Sequence, residues 1–295
     1  MPCPTRETGR EKGSDMDDAL AEQWRTEGYI VVRGLFDSDR CRRLLAIAES
    51  ALEQWRRSNP ETGEPGGGVN ATVMRHLNHP GYFASSEQRA RCELLSAIAD
   101  RKVLSIGQSI LGEAVLFRCT SLFMNPQEES LDGNWHRDSQ FHCPDEADEL
   151  EMIGRGGAGG TSIQLQIALV PSDDVEVVPG SHLRWDTLDE YAIRRADGGI
   201  HNRSNSMPGA LRVALQPGDA VAFNPCGLHR GRYHVDRMRR TLMLTYTQMS
   251  APQLDYFSDQ PWFLEEGYLM GLNAETRGFF ERFIEQYRSD WEPAP

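Results

Sequence analysis

Lysine is almost missing from this chain: Lys12 and Lys102 are the only two in 295 residues, and every other basic side chain is an arginine. Basic residues are also outnumbered, 31 Lys and Arg against 44 Asp and Glu, which leaves a formal charge of -13. A nucleic-acid binder carries a basic stripe and the opposite balance, and an anionic membrane surface would repel this chain. No apolar run reaches the 18 residues that a membrane-spanning helix needs. The first residues lack the apolar stretch of a secretory signal, so residues 1–17 are expected to be a disordered tail. No two of the cysteines at 3, 41, 92, 119, 143 and 226 stand in a C-x-x-C spacing, which argues against a zinc cluster or a redox pair. Scattered single cysteines with no secretion signal fit a reducing cytoplasm. Internal repeats are absent as well. What remains is 39% hydrophobic, enough for a sizeable core. The expected partner is a small molecule, and the acidity favours a neutral or cationic one.

The chain changes character along its length. Asp17 to Glu27 reads as a charged helix, and Tyr29 to Arg33 as a short β-branched strand. Leu44, Leu45, Ile47, Ala48 and Leu52 recur at helical spacing up to about Arg57, with Ser38 or Asp39 as the cap. A further helical stretch covers Ser86 to Ile110, broken near Asp100. Strands follow: Ala114–Met124, Ser162–Val170, Val175–Val178, Leu211–Leu215, Ala220–Phe223 and Arg240–Gln248. In the second of these, Ile163, Leu165, Ile167 and Leu169 alternate with Gln164, Gln166 and Ala168, so one face is apolar and the other polar. Helix returns from Ala274 to Trp291. This pattern predicts a mainly β fold with flanking helices, a jelly roll or double-stranded barrel. It is read as one domain over 18–295: a helical part over 18–112, a barrel core over 113–250 and a helical extension over 251–295. The connections Ser139–Thr161, acidic then glycine-rich, and Leu183–Pro208 are expected to border the barrel mouth, which makes their His142 and His201 candidate substrate neighbours.

Two segments carry the chemistry. In Trp135-His136-Arg137-Asp138, residues i and i+2 on a strand project to one face, so His136 and Asp138 act together while Arg137 points away. The second segment starts at His229 and reaches Arg239-Arg240-Thr241. Two imidazoles and a carboxylate are the ligand set of a non-haem Fe(II) site with open positions. If the chain reverses near 234 and 235, His229 and Arg240 face each other across a hairpin, with Cβ atoms about 5 Å apart. The Arg240 guanidinium would then pair with the far carboxylate of a 2-oxoglutarate chelating the metal. Arg239 is the rival, since a slip of one residue exchanges the two; Arg240 is preferred as the one on the inward face. His182, in Pro-Gly-Ser-His, is read as part of a turn at the barrel rim.

The chain resembles the phytanoyl-CoA dioxygenase family of Fe(II)/2-oxoglutarate-dependent oxygenases. The resemblance is carried by Gly28 to Leu35, His136-Arg137-Asp138, Val178-Pro179-Gly180-Ser181-His182, Gly218 to Phe223 and His229 through Arg240, within roughly residues 18 to 250. It implies a double-stranded β-helix, iron held by His136, Asp138 and His229, and 2-oxoglutarate and O2 as cosubstrates. It also implies Arg240 as the cosubstrate clamp, with Gln166, Gln164 and Thr241 as further contacts. The presence of Asp138 argues against a halogenase, in which that coordination position is vacant for chloride. The expected activity is hydroxylation, or oxidative cyclisation or bridge formation, on a polar sugar-containing or amino-acid-derived natural product in a biosynthetic pathway. No basic cluster suited to the phosphates of coenzyme A is evident. An oxygenase of lipid or acyl substrates is the alternative, and a non-oxidative jelly-roll protein that binds or modifies sugars is the alternative of another class.

Overall fold

A computed structural model describes residues 12–156 and 160–292. The elements run in the order α1 (Lys12–Glu27), β1 (Tyr29–Val32), α2 (Ser38–Arg57), β2 (Val73–Arg75), α3 (Gln88–Ile98), α4 (Arg101–Leu111), β3 (Val115–Met124) and β4 (Leu131–Asp132). They continue with α5 (Glu146–Gly156), β5 (Ser162–Ala168), β6 (Ser172–Val177), α6 (Leu188–Arg194), β7 (Leu211–Leu215), β8 (Ala220–Phe223), β9 (His229–Tyr233), β10 (Arg240–Gln248) and α7 (Ala274–Trp291). The strands form two sheets, one of six strands in the order β1-β8-β5-β10-β3-β2 and one of four in the order β4-β9-β6-β7. Every strand pair is antiparallel. This is the expected double-stranded β-helix with flanking helices.

The alternation in β5 explains how the layers stack. Ile163, Leu165 and Ile167 join Leu242 and Leu244 of β10 and pack against the helices, each side chain contributing roughly 1.5–3 kcal/mol on burial. The opposite face of the six-stranded sheet meets the four-stranded one through Val175, Val177, Val213, Leu215, Val221 and Phe223. Beneath β3, Phe117 meets Phe280 and Phe283 of α7 at ring distances of 5.7 and 5.1 Å, so the C-terminal helix is part of the core.

Several local expectations change. Residues 12–17, expected as tail, form the first turns of α1; residues 1–11 lie outside the described residues. The N-terminal part also supplies sheet edges, since β1 pairs with β8 and β2 with β3. The cap of α2 is Asp37, whose carboxylate accepts the Arg40 N–H at 2.8 Å, rather than Ser38 or Asp39. The acidic run after Cys143 is helix, not loop. Asp145 accepts the amides of Ala147 and Asp148 at 2.9 and 3.0 Å, and Glu146, Asp148 and Glu149 sit in the first turn, where the helix dipole favours negative charge. The break expected near Asp100 is a cap, its carboxylate taking the Lys102 N–H at 2.9 Å. The largest change is that β9 and β10 do not pair. They belong to different sheets, so the segment between them crosses the barrel instead of forming a hairpin. Among the described residues no helix is long and apolar enough to cross a membrane.

Candidate metal centre

His136 and His229 meet through the backbone. Each donates its amide to the carbonyl of the other, at 3.1 and 3.0 Å, in an isolated antiparallel bridge. Asp138 then opens a 3-10 turn, Asp138–Phe141, and its amide donates to the Pro225 carbonyl at 2.8 Å. The bridge and the turn, rather than a continuous strand, bring the three side chains together. His136 Nε2 lies 3.6 Å and His229 Nε2 3.5 Å from the same atom, Asp138 Oδ1.

The tautomers are set by the chain itself. His136 Nδ1 is 2.6 Å from the Asn134 carbonyl and His229 Nδ1 2.9 Å from the Gly227 carbonyl. A carbonyl only accepts, so both Nδ1 atoms carry the hydrogen and both Nε2 lone pairs face Asp138, as in imidazole ligands oriented by an outer partner. Gln164 Nε2 donates to the other carboxylate oxygen, Asp138 Oδ2, at 2.5 Å. Burial drives the His136 pKa down to about 4, with the neighbouring His229 adding to the effect and Asp138 opposing it. Burial alone would raise Asp138, but the adjoining His229, with help from His136 and the Gln164 amide, brings it down to about 2. A neutral His136 imidazole beside an ionised carboxylate is the protonation state that a divalent cation requires. The donor set, two nitrogens and one oxygen on one side of an open cavity, suits a non-haem Fe(II) ion.

Behind the site, Arg137 does point away, into a buried ion network. Its Nε and Nη2 donate to Asp186 Oδ1 at 3.0 and 2.8 Å, and its Nη1 to the carbonyls of Ser181 and Cys226 at 2.7 and 2.5 Å. Arg194 binds Asp186 Oδ2 at 2.6 Å and Glu149 Oε1 at 3.0 Å. Arg137, Asp186, Arg194 and Glu149 are all sealed from solvent. The network ties the His136–Asp138 turn to α5 and α6, helices that stand within the two long connections over Ser139–Thr161 and Leu183–Pro208.

A cavity of ≈ 440 Å³ opens over the three residues, with Gln164, Gln166, Phe141 and His142 on its wall. His201 is not on that wall and His182 is buried in a 3-10 turn, away from the three ligand atoms. Arg240 is not on it either. Its parity on β10 is that of Leu242 and Leu244, so its guanidinium runs to the helical side, where Nε meets Glu49 Oε1 at 2.7 Å and Nη1 meets Asn125 Oδ1 at 2.8 Å. The rival Arg239 enters the cavity instead. Its guanidinium lies over the rings of Tyr233 and Phe123, 4.5 and 5.0 Å from their centroids, with Nη1 donating to the Arg232 carbonyl at 3.0 Å and Nη2 to Gln166 Oε1 at 3.5 Å. Gly231 makes room for it: a Cβ there would stand 2.8 Å from Arg239 Nη1 and 2.6 Å from Tyr233 Oη. Thr241 shares the inward parity, paired with Phe123 and Ala168, and its hydroxyl is buried without a hydrogen-bond partner; so is Arg239 Nε. Thr241 is not on the cavity wall, whereas Arg239 is, and a buried nitrogen without a partner on that wall fits a site that takes a polar ligand. The clue to Arg239 was present in the sequence: Thr241, Met243 and Thr245 alternate with Leu242, Leu244 and Tyr246, and the odd positions match the polar face of β5.

A barrel of two antiparallel sheets, with two imidazoles and one carboxylate at its open side and an arginine across the cavity, defines the class of metal-dependent oxygenases. The model of the phytanoyl-CoA dioxygenase (PhyH) family matches residues 24–241, and the chain belongs to that family. It is therefore an Fe(II)- and 2-oxoglutarate-dependent dioxygenase by class, with O2 as the oxidant. Solved structures share the fold. The epimerase SnoN in complex with Fe3+, alpha ketoglutarate and nogalamycin RO superposes with a TM-score of 0.56 at 18% identity, over 84% of this chain and 91% of that one. AviO1 from Streptomyces viridochromogenes Tue57 gives 0.55 at 19% identity, over 80% and 97%. EctD from S. alaskensis with 2-oxoglutarate and 5-hydroxyectoine gives 0.54 at 18% identity, over 92% and 89%. No curated protein sequence matches the chain.

Proposed function

We propose that His136, Asp138 and His229 hold Fe(II), that Arg239 receives the distal carboxylate of 2-oxoglutarate, and that the enzyme oxidises a polar small molecule. The convergence of both Nε2 atoms on Asp138 Oδ1, with each Nδ1–H held by a carbonyl, carries this reading. When bound, iron with 2-oxoglutarate and O2 supplies the oxidation of a substrate C–H bond. The chain's own residues set the geometry. Gln164 keeps Asp138 Oδ2 occupied so that Oδ1 faces the imidazoles. Gln166 and Arg232 hold the Arg239 fork, and the rings of Tyr233 and Phe123 pack against it.

The substrate is an amino-acid-derived or sugar-containing natural product, and the outcome is hydroxylation, oxidative cyclisation or bridge formation. Polar walls in a cavity of ≈ 440 Å³ support a molecule of modest size, and the fold is shared with an epimerase from nogalamycin biosynthesis and with EctD. The described cysteines carry free thiols, in keeping with a cytoplasmic enzyme. The test is an anaerobic titration of the metal-free protein with Fe(II) and then 2-oxoglutarate. Wild type should bind one iron and develop a 2-oxoglutarate-dependent visible absorption, and His136→Ala and Asp138→Ala should lose both. No stoichiometric iron in wild type, or an unchanged signal in both variants, overturns the reading.

A further inference from the structure

The far wall of the cavity carries a second pair of arginines that the iron and cosubstrate sites do not use. Arg75 on β2 and Arg118 on β3 both line the cavity, and both guanidiniums lie 5.0 Å from the centre of the Phe257 ring. Arg75 Nη1 donates to Ser121 Oγ at 3.2 Å, and no carboxylate is paired with Arg75 among the described residues. Arg118 is only 7% exposed; one of its nitrogens meets Asp255 Oδ2, and its Nε has no hydrogen-bond partner. Of the two guanidiniums only Arg118 has a paired carboxylate among the described residues, which leaves a local excess of one positive charge in a protein whose formal charge is -13. The third arginine of the wall outside the cosubstrate corner, Arg230, is neutralised by Glu176. A sheltered cation without a counter-charge is costly, and an unpaired Nε adds to that cost; a ligand anion relieves both.

Its ring partner separates this pair from the cosubstrate corner. Arg75, Ser121, Met243 and Gln166 form one cross-strand row through β2, β3, β10 and β5. Arg75 reaches Ser121 whereas Arg239 lies over Phe123, two residues along the same face of β3, so the two arginines stand side by side on the wall, the first against Phe257 and the second against Tyr233. We infer that Arg75 and Arg118, with Phe257 as a flat wall, receive a carboxylate of the substrate. A single net charge and planar forks match a singly charged carboxylate. This deepens the oxygenase reading and rests on it, and it replaces the neutral or cationic substrate expected from overall acidity. Within the proposed substrate classes it favours the amino-acid-derived one, since such molecules carry a carboxylate.

Calorimetric titration of the metal-free protein and of the anaerobic Fe(II)/2-oxoglutarate complex with 3-phenylpropionate and 3-phenylpropanamide tests this. In both forms the acid should bind at least tenfold more tightly than the amide. Arg75→Gln and Arg118→Gln should each cost the acid roughly tenfold to a hundredfold, the range for a charge-assisted hydrogen bond, and leave the amide unaffected. Arg75→Lys, which keeps the charge, should retain part of the preference, and circular dichroism verifies that each variant is folded. Equal behaviour of acid and amide, including no binding of either, overturns the inference. So does a preference that survives Arg75→Gln and disappears in Arg239→Gln. A failure of the oxygenase reading shows separately, as a missing 2-oxoglutarate signal in wild type, because the acid–amide comparison is also made without metal.

Discussion

Replacing Arg239 or its neighbour Arg240 by glutamine separates two structures that the sequence left adjacent. Arg239 donates to the Arg232 carbonyl and to Gln166, rests against the rings of Tyr233 and Phe123, and lines the cavity. Its removal takes away a charged partner from a ligand carboxylate in a sheltered site. Truncating one member of such a pair costs about 2–5 kcal/mol, which is roughly a thirtyfold to several-thousandfold loss in 2-oxoglutarate affinity. Arg240 pairs with Glu49, whose side chain is 43% exposed, and with Asn125. Breaking that half-exposed pair should cost about 1 kcal/mol of stability or less and leave 2-oxoglutarate binding near wild type. The assay is the anaerobic absorbance titration, with thermal unfolding measured alongside, on Arg239→Gln, Arg239→Lys and Arg240→Gln. The lysine variant should recover part of the affinity, since it restores charge without the planar fork. If Arg240→Gln weakens 2-oxoglutarate binding and Arg239→Gln does not, the register of β10 described above is wrong and so is the clamp.

Three further outcomes follow from other parts of the molecule. Gly231→Ala should push Arg239 and Tyr233 aside and weaken 2-oxoglutarate several-fold with the fold intact, whereas wild-type affinity would show that the guanidinium has room to shift. Asp186→Ala strands Arg137 and Arg194 without their shared carboxylate; breaking buried pairs of this kind costs about 3–5 kcal/mol, so calorimetry should show a drop in Tm of roughly 10 °C, and a drop below about 2 °C would count against the network as a stabilising element. His79 is held neutral, its pKa pushed down to about 4 by burial, with the charge of nearby His76 adding and Glu61 opposing; its ring packs on Trp262 at 4.5 Å and Nδ1 accepts the Gly81 N–H at 3.0 Å. Since an unfolded histidine titrates near 6.5, this contribution is complete above that pH and is lost as pH falls toward 4. Wild-type Tm should therefore decline over that window, and His79→Gln should decline less; parallel curves would refute the assignment.

How far the sequence reached depended on the range of the interaction involved. Local periodicity is enough where a single element decides: β7, β8, β10 and α7 lie where the alternating or helical spacing predicted them, because burial of one face sets the period. The three candidate metal residues could be singled out because an H-x-D triplet, weak by itself, gains meaning when a distant histidine and an arginine complete the set, and the fold brings the three together. Capping at Asp37 and the helix at Glu146–Gly156 were missed although their signals, a carboxylate before a helical run and acids in a first turn, are local. The pairing of β9 was beyond local reach. Whether the chain after Tyr233 turns back on itself or crosses to the other sheet depends on what each strand buries, and that is a property of both sheets together. From this one crossing came the error over Arg240, which a hairpin would have set opposite His229.

The sequence by itself therefore determined the class of fold and the class of enzyme and singled out a candidate donor set, because hydrophobic period and ligand chemistry are written residue by residue. Only the tertiary structure decided which of two adjacent arginines faces the cavity, because side-chain direction alternates at every residue and register is set by packing on both faces of a strand. Only it placed Arg75 and Arg118 on one wall, 43 positions apart in sequence and one strand apart in space. And only it showed that a strongly acidic chain sets on its cavity wall an arginine, Arg75, with no carboxylate paired to it among the described residues, since net charge is a sum over the whole surface and a binding site feels the few groups that face it.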